Sequence, residues 1–125
     1  MGREITSHKV NGLNEALTIE ACDQPGDGGA EHYYEIRHPD PKSPECQAIQ
    51  GIHFQEGPIA EAGVNGISGE ALLAIVADRL TCFQMGAYAC RENAIALTKI
   101  QEAMHWLHHR TRERAARGVE GTRKV

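Results

Sequence analysis

The sequence predicts an α+β fold: a small N-terminal antiparallel β-sheet followed by a C-terminal antiparallel two-helix hairpin that packs in an oligomer. Three observations carry this expectation. Before residue 60, apolar residues alternate in short runs split by turn-rich loops, the period-2 mark of half-buried strands. After residue 68 they recur at helical spacing, the mark of an amphipathic helix. Gly86 interrupts the helical pattern, and so short a break folds two helices back on each other.

Taken in order, a first strand is expected near Thr6–Val10, joined by an Asn11-Gly12 turn to a second. In that second strand Leu17, Ile19 and Ala21 alternate with Thr18, Glu20 and Cys22. His32–Ile36 and Ile49–Phe54 are the next two, separated by the loops Asp23–Gly29 and His38–Pro44. Residues 57–66 link the two halves. Ser68 then fits an N-cap, with Glu70 in the first turn favoured by the helix dipole. The first helix is expected from about Gly69 to Met85, with Leu72, Leu73, Val76, Leu80 and Phe83 on one stripe. The second runs from about residues 89–91 to Ala116, with Leu97, Ile100, Met104 and Leu107 as its seam, and Gly118 ends it. A single domain over 1–125 is expected, with the sheet in about 1–62 and the hairpin in about 68–118.

Composition narrows the class. At 125 residues, 41% hydrophobic and 24% charged, the chain reads as globular and not disordered. No apolar run approaches the ~20 residues that span a bilayer. Met1–Ile5 lacks the apolar core of a secretory signal, although Met1, Gly2 and Thr6 fit a loose myristoylation pattern. A cytoplasmic protein is therefore expected, its four cysteines reduced and buried or half-buried. The net charge of -4 is uneven: residues 110–125 hold six of the 13 Lys and Arg but two of the 17 Asp and Glu. An acidic body with a basic end suits a local anion site better than a surface that coats nucleic acid.

The chemistry-bearing residues lie on the helices. Continued past Leu107, the seam of the second helix lands on Arg110, Arg114 and Arg117. The planar fork of arginine suits phosphate. The same arginines would equally form a solvated basic helix end that complements the dipole. Phe83 fits a core position of its stripe or a ring on which a base stacks. Asn93 fits a first-turn polar residue or a reader of a base edge or ribose. Arg110 lies seventeen residues beyond Asn93, which at ~1.5 Å per residue is ~25 Å along one helix. One chain cannot bring both to a small ligand, but two chains packed antiparallel can.

Metal and catalytic signatures are weak. His8, His32, His38 and His53 are scattered. His105 and His109 form an i, i+4 pair without an evident third ligand, and Trp106 between them reads as packing. No phosphate-binding loop, dinucleotide fingerprint or nucleophile elbow occurs. The expectation is a binding protein that is not an enzyme and carries no metal and no cofactor.

Several stretches of the C-terminal half carry a resemblance. They are Phe54–Ile59, Gly63–Gly66, Leu72–Leu80, Phe83–Gly86, Ala89–Asn93, Arg110-Thr111 and Ala116–Thr122. Over about residues 52–122 the chain resembles the first-type Thoeris anti-defence proteins of phages. Their helical hairpin is shared with the anti-CBASS cyclic-dinucleotide sponges. The resemblance implies a homo-dimer or hexamer that sequesters cyclic nucleotide immune signals without cleaving them. The signals it implies are chiefly glycocyclic ADP-ribose from TIR-domain proteins, and CBASS cyclic oligonucleotides. It implies ligand contacts at Phe83, Asn93, Arg110 and Arg114, with Arg117 beside them. Two other readings remain: a nucleic-acid-binding phage regulator, and a plain helical-hairpin assembly module.

Overall fold

The computed structural model describes residues 2–124. Met1, on which the myristoylation pattern rests, lies outside them. The chain forms two compact units, Met1–Gly57 with Ala62–Ile67, and Pro58–Glu61 with Ser68–Val125.

The first unit holds a four-stranded antiparallel sheet of β1 (Arg3–Ile5), β2 (Thr18–Ala21), β3 (Tyr33–Arg37) and β4 (Ile49–His53), in sequence order. Arg3 pairs with Ala21, Ala21 with Tyr34, and Tyr34 with Ile52. Ala21 is fully buried. Tyr33 stacks on His53 with centroids 4.1 Å apart, and Tyr34 meets Phe54 edge-on at 5.7 Å. Such cross-strand ring pairs fix register.

The expected first strand at Thr6–Val10 is not formed; the strand lies earlier, at Arg3–Ile5. Asn11 is the reason. Its side-chain oxygen accepts the Asn14 N–H at 2.8 Å and caps a short helix, α1 (Gly12–Ala16). An asparagine that satisfies a helix N-terminus cannot also serve a hairpin turn. The intervening loop is tied down by Lys9, whose ammonium donates to the Glu15 and Leu17 carbonyls, and by His8, whose Nε2 lies 2.7 Å from the Leu17 carbonyl oxygen.

After β4 the chain makes a loop whose backbone is satisfied by two side-chain amides. Asn65 accepts the Glu56 N–H at 2.8 Å and donates to the Glu56 carbonyl at 2.7 Å. Gln55 accepts the Asn65 N–H at 2.9 Å and donates to the carbonyls of Gly57 and Gly63. Gly66 passes so close to Phe54 that a Cβ there would stand 2.4 Å from its carbonyl carbon. The link also contains a short helix, α2 (Ile59–Ala62), where no helix was expected.

The second unit is the hairpin of α3 (Gly69–Gln84) and α4 (Arg91–Ala116), which pack against each other. Ser68 caps α3 as expected, accepting the Ala71 N–H at 3.1 Å. Gln84 accepts the Cys90 N–H at 3.0 Å and so braces the turn between the helices. Helix α4 closes in a Schellman motif, with Val119 N–H on the Arg114 carbonyl, Gly118 N–H on that of Ala115, and Gly118 at φ 72°.

No residue of α3 is buried, and α4 buries only Arg114. Ile75 (66%) and Trp106 (64%) are largely exposed, and Val76 and Ile95 substantially so. Trp106, expected to pack, is therefore open in the single chain. Cys82 and Cys90 are likewise exposed free thiols, while Cys22 and Cys46 are half-buried as expected.

Candidate functional site

The two ends of the hairpin carry different chemistry. At the tip, Phe83 in the last turn of α3 is half-buried and meets Tyr88 edge-on, with centroids 5.9 Å apart and an interplanar angle of 72°. Arg79, one turn earlier, places its guanidinium carbon 5.2 Å from the centroid of the Phe83 ring. Asn93 lies in the first turn of α4, half-buried, its backbone N–H bound by the Cys90 sulfur at 3.4 Å. The tip thus offers an aromatic ring, a cation and an amide. The sequence reading missed Arg79, although its i, i+4 spacing from Phe83 is the available signal.

The far end holds the arginines, ~25 Å along α4 by the helix rise. They fall into distinct environments. Arg110 is exposed and, among the described residues, meets no carboxylate or other hydrogen-bonding partner. Arg117 is exposed and bridges Glu113 at 2.7 Å across one turn. Arg114 is buried, its side chain 7% exposed. Its Nη2 donates to the carbonyls of Val119 and Thr122, each at 3.0 Å, and its Nη1 to that of Lys124. Its Nε faces Glu120 at 3.4 Å. Oxygens on every side match the forked donors of a guanidinium, so the charge is satisfied although buried.

Arg114 is in this way the centre around which residues 117–124 wrap. The wrapped tail continues onto α2. The Ala60 N–H donates to the Gly121 carbonyl at 3.3 Å, and Arg123 pairs with Glu61 at 2.9 Å. Sequence reasoning found Arg114 but missed its acceptors, because backbone carbonyls leave no trace in residue identity. Within one chain the hairpin therefore keeps Phe83 and Asn93 at its tip and Arg110, Arg114 and Arg117 at the other end.

One other cluster lies in the sheet unit. Ligand atoms of Glu20, Cys22 and Glu35 all fall within 4.8 Å of one another. Each already has a protein partner. Tyr33 donates to Glu35 at 2.7 Å, Arg37 pairs with Glu35 at 2.7 Å, and Cys22 points its thiol at Glu20. Burial, then the Glu20 hydrogen bond and the charge of Glu35, push the Cys22 thiol up. On α4, the rings of His105 and His109 turn their edges to Trp106 at 5.5 and 5.6 Å. No helix among the described residues is long and apolar enough to cross a membrane.

The hairpin that carries this tip and this arginine-rich end belongs to a known class of helical-hairpin domain. Residues 47–112 match the model of the Acb2/Tad1 hairpin domain, and the chain belongs to that family. Among named relatives, it is 54% identical over 71 residues to "Thoeris anti-defense 1" of Bacillus phage SBSphiJ7. That match covers 57% of this chain and 50% of the relative, so the chain spans about half the relative's length.

Proposed function

We propose that this protein is a phage anti-defence sponge. It binds cyclic nucleotide immune signals in the cytoplasm of the bacterial host and holds them without cleaving them. The chief ligand is glycocyclic ADP-ribose made by TIR-domain proteins, with CBASS cyclic oligonucleotides as further candidates. The name of the 54% identical relative supports the anti-Thoeris role.

The observation that carries the mechanism is the division of the site along α4. A ligand with a base and phosphates needs an aromatic surface and cations within a few ångströms of each other. Phe83 and Asn93 stand at the tip, and Arg110 stands ~25 Å away. Two protomers packed antiparallel would bring the tip of one to the arginines of the other, so the site is shared in a homo-dimer or a hexamer. The exposed apolar residues of the hairpin, Ile75, Val76 and Ile95, give that packing its driving force. Arg110, without a partner among the described residues, is the cation available to phosphate. Arg114 acts beside it, at once bound to the tail and one turn away, and Arg117 reaches ligand by exchanging its Glu113 partner.

Binding is the whole of the function in this reading. Ligand is retained because its charges are neutralised and its base stacked, and no group is poised to attack it. Calorimetric titration with glycocyclic ADP-ribose tests the proposal. Tight saturable binding is expected, and heating the complex is expected to return the ligand at its original mass. Absence of binding, or recovery of a hydrolysed product, would overturn it. A duplex DNA titration run alongside is expected to give no saturable binding.

A further inference from the structure

The cation on the Phe83 ring has no role in the reading above. Among the described residues six arginines face a carboxylate: Arg3, Arg37, Arg91, Arg114, Arg117 and Arg123. Arg79 faces none; it is exposed, and the contact it makes is with an aromatic face, 5.2 Å from the ring centroid. That distance lies within cation–π range. Tyr88 meets the same ring nearly at right angles. The ring therefore has one flank fenced by an aromatic edge and a face covered by a guanidinium.

We propose that Arg79 is a ligand-contacting, specificity-determining residue of the Phe83 site, selecting nucleotides that carry phosphate beside the stacked base. This rests on the sponge reading given above and names a residue that reading did not include. An exposed cation–π contact is weaker than the stacking of a base on an aromatic ring. An arriving base can therefore displace the guanidinium from the face it covers. The displaced group stays tethered one helical turn away and turns its fork to the ligand's phosphate, where two charge-assisted hydrogen bonds replace the π contact. An uncharged nucleoside displaces the same cation and gains nothing in return. The tip then contributes a cation of its own to a site whose other cations come from the far end of a second α4.

The test uses the full chain with glycocyclic ADP-ribose as probe and calorimetry at low and high salt. Arg79→Ala is expected to weaken binding roughly tenfold, the loss of a charge-assisted contact. The deficit is expected to shrink as salt rises, because salt screens the missing charge. Arg79→Lys, which keeps the charge but not the fork, is expected to fall between the two. The thermal midpoint without ligand is expected to be unchanged, since Arg79 is exposed. Binding by Arg79→Ala as tight as or tighter than wild type overturns the inference. So does a loss independent of salt and accompanied by a lower midpoint, which would mark a purely structural role. If the wild-type chain itself binds no probe, the sponge reading has failed, a result plainly different from a failure confined to the Arg79 variants.

Discussion

Arg110 and Arg114 stand one turn apart on α4 and meet opposite surroundings. The guanidinium of Arg114 is enclosed by the carbonyls of Val119, Thr122 and Lys124, while Arg110 is exposed to solvent. Two residues of one type on neighbouring turns thus carry different loads. One organises the end of the chain, and the other, among the described residues, meets no protein partner.

That difference sets an expectation for stability. Arg114→Ala should release the tail from α4 and α2, costing about 2–3 kcal/mol, the worth of a charge-assisted hydrogen bond to a buried group. Trypsin should then cut after Arg117 and Arg123 well before the rest of the chain is attacked. Arg114→Lys should rescue only part of this, because one ammonium cannot reach acceptors spread around a planar fork. Arg110→Ala should leave tail protection and thermal midpoint within about 0.5 kcal/mol of wild type. Equal protease resistance in Arg114→Ala and wild type would show that the tail does not depend on this guanidinium.

The loop between β4 and α3 depends on Asn65, whose amide serves both backbone groups of Glu56. Asn65→Ala should cost about 1 kcal/mol, the net worth of exposed hydrogen bonds. Asn65→Asp should cost more, since it keeps the acceptor but points a carboxylate at the Glu56 carbonyl in place of a donor. Urea denaturation of the two variants checks the order, and a reversal would mean that the amide donor is dispensable. Gly66→Ala is expected to be the most damaging change in this loop, because its Cβ has no room beside the Phe54 backbone.

The sheet unit should lose stability in acid through Asp23. Partial burial by itself would raise this carboxyl. The N–H groups of His32 and Tyr33 outweigh burial and hold it below its ordinary value of 3.8. Glu35 is lowered too, chiefly by the Tyr33 hydroxyl and with help from Arg37. A folded carboxyl more acidic than its unfolded form means that the unfolded chain takes up the proton first as pH falls. The contribution is therefore whole above the ordinary carboxyl range and disappears as pH drops through the lowered values. Thermal midpoints measured from about pH 6 to about pH 3 should fall steeply for wild type and less steeply for Asp23→Asn. Parallel acid limbs for the two proteins would remove Asp23 from the account.

Much of this molecule is legible in residue order. Ser68, the Leu72–Phe83 stripe, Gly86, the Leu97–Leu107 seam and Gly118 mark the hairpin because caps, apolar spacing and a left-handed glycine are local properties. The last three strands are legible for the same reason. The first strand was not, since Asn11-Gly12 suits a hairpin turn and a helix cap equally and only the pairing of Arg3 with Ala21 decides between them. Among the candidate ligand residues, sequence supplied their type and their separation along one helix, which follows from a constant rise per residue. It did not separate Arg110 from Arg114. That distinction was made by the tail, whose carbonyls fold back to enclose one guanidinium and leave its neighbour open. Backbone oxygens are the same in every residue, so where they converge is a matter of tertiary path alone.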